Sequence, residues 1–342
     1  MRENYICIKE AMNNNELYYP VKMIPYSKSA IWGGTRLIEK YHKPAGLENY
    51  AEAWELSCRD GKMSIAANGP LAGKTLGEII EILGNKSVSP EYDGGRFPLL
   101  VKFIDSASAL SVQVHPSDAY ALEHENDLGK TEMWYIMDAD EGSELVIGMN
   151  EYDKTKLRTA AESGTLELLL HHIKVKPGET YFIPAGLVHA IGGGITLCEI
   201  QQNSDVTYRL YDYNRRGSDG KLRELHLDRA LDVIRRFGDS NAERGAYEKL
   251  EYGHPVSDGE VLAACDKFTV IRYTVNGVQS VRIGDDSFAS LSFTRGSGEL
   301  HYKNMVESVS AGDTFFVPAG AGELSLHGVL EVLAASVPCA HK

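Results

Sequence analysis

The segment Leu110-Ser-Val-Gln-Val-His115 alternates strictly, so in a strand Ser111, Gln113 and His115 share one face and Leu110, Val112 and Val114 the other. One face can pack into a core; the other carries two side chains able to coordinate a metal, and Pro116 ends the strand. Further on, Gly129-Lys-Thr-Glu-Met-Trp-Tyr135 places Lys130, Glu132 and Trp134 on one face by the same alternation, and His189 follows a Pro184-Ala-Gly186 turn. Gln113, His115, Glu132 and His189 would supply an amide oxygen, a carboxylate and two imidazoles. Such a mixed set suits zinc, leaves residual positive charge on the ion and keeps room for a water or substrate oxygen. Spacing alone leaves the ordinary alternative open, because a histidine on a strand is commonly a surface or satisfied core residue. His171 and His172 are read that way, as adjacent residues of an expected helix that point in different directions.

A second polar stretch runs from Cys198 to Asp212, where Asp205, Thr207, Arg209 and Tyr211 are expected on one face, followed by Arg215 and Arg216. A guanidinium projecting from a strand can grip a phosphate or stabilise negative charge developing on oxygen. A plain Arg–Asp pair at a barrel rim is the alternative.

The elements that must position these groups read mainly as β. Short apolar or alternating runs such as PLLVKFI, LSVQVHP and EMWYIMD are punctuated by Gly and Pro. Helical patterns are few. Thr75 to Leu83 carries a Thr75/Glu78 capping box and stops at Gly84. Lys154 to His172 would turn Leu157, Ala161, Leu168 and Leu169 inward, and Leu227 to Phe237 would turn Leu231 and Ile234 inward. Pro177-Gly-Glu-Thr-Tyr-Phe-Ile-Pro-Ala-Gly186 recurs as Ala311-Gly-Asp-Thr-Phe-Phe-Val-Pro-Ala-Gly320, which predicts two related barrels with a few accessory helices. Beyond the turn the first copy has His189 where the second has Glu323, so only the first is expected to hold a metal. The expected division is a polar tail over 1–16, a catalytic domain over 17–240 and a metal-free barrel over 241–342, with the boundary near 238–258.

The 342 residues suffice for more than one core, and a net charge of −13 argues against a general nucleic-acid binder while permitting a small anion in a locally basic cleft. No apolar run suits a membrane span and no N-terminal signal core is visible. The five cysteines lack CxxC spacing, which points to reduced thiols in a cytoplasm.

Taken in order, Trp32-Gly-Gly, Glu52-Ala-Trp-Glu-Leu-Ser57, Pro98-Leu-Leu-Val-Lys-Phe-Ile, Leu110 to Pro116, Lys130-Thr-Glu-Met, Pro184-Ala-Gly-Leu-Val-His189 and Glu199 to Arg209 resemble the type I phosphomannose isomerases in their shorter bacterial form. The resemblance implies jelly-roll barrels of the cupin superfamily and one zinc ion per chain on Gln113, His115, Glu132 and His189. It implies that Arg209 is the active-site arginine and that Lys130 lies in the cleft. Ser111 and Arg215 match positions near the phosphate site, and Glu199 and Asp205 match acidic positions at the cleft. Two departures stand out: Gly129 occupies a place where the family often has histidine, and the large helical insertion of longer members is missing.

The activity so implied interconverts mannose 6-phosphate and fructose 6-phosphate through an enediol, with Asp205, Glu199 and Lys130 as candidate proton carriers. The competing expectations are a cupin that binds a sugar phosphate without turning it over, and an iron-dependent oxygenase, which gives no reason for Arg209 and Arg215.

Overall fold

The computed structural model describes residues 17–217, 220–237 and 259–338. The expected tail over 1–16 and the expected boundary near 238–258 lie outside the described residues. Strands dominate and form three large sheets and a small hairpin. The six-stranded sheet runs β12 (Thr180–Ile183), β9 (Glu132–Ala139), β14 (Ile195–Gln202), β7 (Leu99–Ser106), β2 (Tyr26–Gly34) and β3 (Tyr50–Leu56), with β3 also pairing β7. The five-stranded sheet runs β11 (Leu170–Lys174), β10 (Glu144–Met149), β13 (His189–Ile191), β8 (Val112–Val114) and β15 (Tyr208–Tyr211). The eight-stranded sheet runs β16 (Glu260–Ala264), β17 (Thr269–Ile283), β21 (Gly322–Ser336), β18 (Ala289–Tyr302), β20 (Thr314–Val317), β1 (Val21–Ile24) and β6 (Ile65–Ala66), with β19 (Met305–Ser310) on β18. The hairpin joins β4 (Cys58–Arg59) to β5 (Lys62–Met63).

The expected closed barrels are corrected here to open sheets. Among the described residues the six- and five-stranded sheets do not join at their edges; they meet face to face through side chains. Alternation along each strand sorts residues between layers. On β9, Trp134 and Ile136 pack toward β10 and β13, whose Leu145, Ile147 and Ile191 share the same cluster. Met133, Tyr135 and Met137 point the other way, into the larger core shared with β17, β18, β20 and β21. The outer face of the five-stranded sheet, with Val112, Val114 and Val146, is covered by helices α4 (Lys154–Ser163) and α5 (Leu227–Val233). The order of layers is thus helices, five-stranded sheet, six-stranded sheet, eight-stranded sheet.

Three further helices precede these: α1 (Arg36–Glu39), α2 (Leu76–Leu83) and α3 (Asp118–Glu125). Helix α2 has the full Thr75/Glu78 capping box and ends at Gly84. The helix expected over Lys154 to His172 is shorter. Gly164 takes φ +75°, a left-handed cap that stops α4, and after a 3-10 turn at Leu166–Leu169 the chain becomes β11. Leu157 and Ala161 are buried as expected, but Leu168 is 81% exposed, and His171 and His172 lie exposed on a strand rather than on a helix. The repeated motif yields two equivalent strands, β12 and β20. His189 opens β13, whereas Glu323 is an exposed residue of β21 that accepts a hydrogen bond from Ser280 at 2.8 Å. No helix among the described residues is long and apolar enough to cross a membrane.

Candidate active site

Three strands of the five-stranded sheet set one row of the site. Gln113 on β8 is the register partner of His189 on β13 and of Arg209 on β15. Just past β8, His115 projects from the same face as Gln113, and across the gap β9 presents Glu132. His115, Glu132 and His189 are all buried, and their ligand atoms lie within 4.8 Å of one another. The Nε2 atoms of the two imidazoles are 3.1 Å apart, and Glu132 reaches them at 3.6 Å (His115) and 3.4 Å (His189).

Each imidazole turns its Nδ1 to a backbone carbonyl, His115 to Val206 at 3.0 Å and His189 to Leu187 at 2.9 Å. A carbonyl only accepts, so both protons sit on Nδ1 and both Nε2 lone pairs face inward. Burial and the Lys130 ammonium hold His115 well below its usual range and bring His189 down to about 3, which keeps both rings neutral. Glu132 Oε1 is buried without a hydrogen-bond donor, and burial and the Glu199 charge push that carboxyl up. Two inward lone pairs and an orphaned carboxylate oxygen fit a divalent cation, and N/O donors of this kind suit zinc.

Beside the cluster lies a cavity of about 330 Å3 lined by Ser111, Gln113, Lys130, Glu199, Asp205, Thr207 and Arg209, and by Lys28, Glu52, Lys102 and Arg223. One wall is an alternating row of charge on the six-stranded sheet. Lys28 meets Glu52 at 2.8 Å, Lys102 lies 3.6 Å from Glu52 and 2.9 Å from Glu199, and Lys130 lies 3.9 Å from Glu199 and in contact with Glu132. The register partners Lys102 and Glu199 make the central rung. The indoles of Trp54 and Trp134 donate to Glu52 and Glu199 at 2.8 and 2.9 Å. Burial would raise the Glu199 carboxyl, but Lys102 and Lys130 hold it below the usual range, so it stays ionised. Burial would lower the Lys102 ammonium, and Glu199 and Glu52 raise it instead.

The candidates that sequence brings forward are distributed unevenly. His115, Glu132, His189, Lys130 and Glu199 converge, and Gln113 lines the adjoining cavity. Ser111, Asp205 and Arg209 line the same cavity, with Asp205 paired to Lys62 at 2.8 Å. Arg209 donates to the Glu224 carbonyl at 2.7 Å, while its Nε is buried without a partner. Burial and nearby Arg223 lower its guanidinium. Arg215 is not among the cavity-lining residues; it is tied to Asp212 and to the Ala109 carbonyl. Tyr211, expected beside Arg209, is turned to the opposite, helix-covered face by a register shift between the two. Lys28, Glu52, Lys102 and Arg223 escape the sequence reading. A Lys or Glu inside an otherwise apolar strand, as in LLVKFI with its one Lys or AEAWEL with its two Glu, was the available signal, because a buried charge needs a partner. At Gly129 a Cβ would lie 2.4 Å from the Asp118 nitrogen and 2.6 Å from the Ser117 carbonyl carbon, so this backbone accepts no side chain there.

Known proteins share this arrangement of chain and fold. The model of the phosphomannose isomerase type I catalytic domain matches residues 21–157, and that of the mannose-6-phosphate isomerase cupin domain matches residues 259–337. Mannose-6-phosphate isomerase ManA of Bacillus subtilis (strain 168) is 38% identical over 92% of this chain and 98% of its own. The crystal structure of the mannose 6-phosphate isomerase from Bacillus subtilis superposes with a TM-score of 0.79 at 35% identity, covering 92% of this chain and 99% of that one. A more distant structure, of mannose 6-phosphate isomerase bound with zinc and yttrium, has a TM-score of 0.72 at 17% identity over 92% of this chain and 98% of that one, a likeness of fold. With two family models and a relative at this identity spanning nearly the whole chain, the protein belongs to the type I phosphomannose isomerase family.

Proposed function

We propose that the chain interconverts mannose 6-phosphate and fructose 6-phosphate, moving a proton between C2 and C1 through an enediol. The observation that carries this is the buried His115–Glu132–His189 cluster opening beside a polar cavity that also holds Arg209. Gln113, His115, Glu132 and His189 would hold one zinc ion. Zinc, when bound, supplies a Lewis acid that polarises the sugar carbonyl.

The chain's own groups do the rest. Arg209 brings positive charge to the oxygen where charge develops. Both Glu199 oxygens are engaged, by Lys102 and by the Trp134 indole, so its role is to keep the alternating charged wall in register. Asp205 has one oxygen held by Lys62 and lines the cavity with its side chain 34% exposed, which favours it as the proton carrier. Lys130 donates to Glu132 and orients it; its 3.0 Å contact with His115 Nε2 uses the lone pair that zinc would take, so that contact would give way to the ion. Ser111 and Arg223 suit a phosphate end of the cavity better than Arg215, whose guanidinium is engaged elsewhere.

The site residues all fall within 17–240, which supports reading that stretch as the catalytic unit and 241–342 as a cupin unit without a metal site. Unpaired Cys58, Cys198 and Cys265 accord with a reducing cytoplasm. The test is a coupled assay on mannose 6-phosphate, before and after chelation and after zinc return. Full turnover by demonstrably metal-free protein removes the metal from the reaction; tight metal binding without exchange of the C2 proton into solvent leaves a binding protein rather than an enzyme.

A further inference from the structure

The site occupies one face of the six-stranded sheet, and the opposite face rests on the eight-stranded sheet across an apolar core. Besides the buried Lys43–Glu55 pair beside β3, a polar link at β9 crosses that core. The Tyr135 hydroxyl on β9 donates to Glu331 Oε1 on β21 at 2.5 Å, and Thr294 on β18 donates to the same oxygen at 2.8 Å. All three residues are buried, and the guanidinium of Arg272 stands 6.0 Å from the Tyr135 ring centroid. A carboxylate in such a place is costly, and well-packed apolar groups would hold two sheets together at least as well. What the link adds is direction: it fixes where β9 sits along and about its own axis.

That strand carries the site. Glu132 lies three positions before Tyr135, roughly 10 Å along the strand. Trp134, the neighbour of Tyr135 on the cavity face, holds Glu199 through its indole nitrogen and packs edge-on against His189, with centroids 5.3 Å apart at 78°. A shift of β9 would therefore move Glu132 and the ring that supports His189 together.

We infer that Glu331 is a positioning residue for the metal centre: through the Tyr135 hydroxyl it sets β9 so that Glu132 and Trp134 meet the two imidazoles. The inference rests on the metal-site reading above, and it gives the C-terminal sheet a part in the chemistry of a site it does not touch.

Cobalt(II) is the probe, loaded into the full chain as wild type, Tyr135→Phe, Glu331→Leu and Glu331→Gln. Tyr135→Phe and Glu331→Leu should shift or broaden the cobalt d–d bands and release cobalt to a chelator about tenfold faster, as loss of an outer-shell partner does. In the zinc-loaded forms kcat should fall with KM little changed. Glu331→Gln keeps an acceptor oxygen and should restore the wild-type spectrum and release rate. If Glu331→Leu fails to fold, Tyr135→Phe, which removes one oxygen from an otherwise unchanged ring, decides. Lowered melting temperatures with wild-type cobalt spectra and release rates would overturn the inference, as would Glu331→Gln behaving like Glu331→Leu. Wild-type protein that takes up no cobalt would instead overturn the metal-site reading beneath it.

Discussion

Arg215 and Arg223 share one carboxylate, Asp212, yet only Arg223 reaches the cavity. Arg215 meets Asp212 Oδ1 at 2.5 Å and Arg223 meets the same oxygen at 3.2 Å. Asp212 is itself buried, so it works as a bracket that fixes one arginine and aims the other. Arg223→Ala should raise KM for mannose 6-phosphate roughly tenfold or more, the scale of one charged hydrogen bond, with a smaller change in kcat. Arg215→Ala should mainly lower the melting temperature. Steady-state kinetics and thermal melts of the two variants separate these effects, and an unchanged KM in the Arg223 variant would rule out its contact with the phosphate.

The inward-facing Nε2 atoms of His115 and His189 make metal binding a stability term. Free zinc at about a hundredfold excess over its Kd should stabilise the protein by about 2.7 kcal/mol, provided the unfolded chain does not bind it. His189→Ala should abolish most of that increment. Differential scanning calorimetry with and without zinc measures it directly, and an equal zinc-dependent rise in the variant would place the metal elsewhere.

The Arg209 guanidinium is held by a backbone carbonyl rather than by a carboxylate: its Nη1 donates to the Glu224 carbonyl, while its backbone nitrogen donates to the His226 ring at Nδ1, 3.1 Å away. A guanidinium so positioned is available to substrate. Arg209→Ala should lower kcat by about 10² to 10³, comparable to losing an oxyanion-stabilising donor. Circular dichroism and zinc content should stay unchanged; turnover at the wild-type rate would remove the residue from the reaction.

Gly129 is a steric requirement. Gly129→Ala or Gly129→His forces apart the turn at Ser117–Asp118 and should cost about 1–3 kcal/mol, as overpacking does. Chemical denaturation gives the number. A histidine variant as stable as the wild type would mean that the turn yields easily.

Much of the site is legible in the sequence where alternation is regular. Ser111, Gln113 and His115 fall on one face as read, and so do Lys130, Glu132 and Trp134, because short, regular strands keep their period of two. The same logic fails at Tyr211, where a bulge inserts a residue that no local pattern announces. It also fails at the charged wall. Lys28, Glu52 and Lys102 come from three strands distant in sequence, and only sheet order shows that each charge has a neighbour of opposite sign. The capping box of α2 is local and reads correctly, whereas the end of α4 depends on Gly164 entering a left-handed conformation inside an otherwise helical pattern. Open sheets in place of closed barrels are likewise a matter of edge pairing, which the repeat of β12 and β20 does not encode.

The placement of β1 has a consequence for how the chain reaches this state. Val21 pairs with Phe316 and Met23 with Ala66, and Lys22 meets Asp313 at 2.9 Å, so one of the first strands made waits for one of the last. During synthesis on a ribosome its β20-facing edge stays bare until β20 emerges, a long-range pairing of the kind that slows folding and invites mispairing. Nascent chains stalled before β20 should therefore recruit chaperones that chains released after it do not.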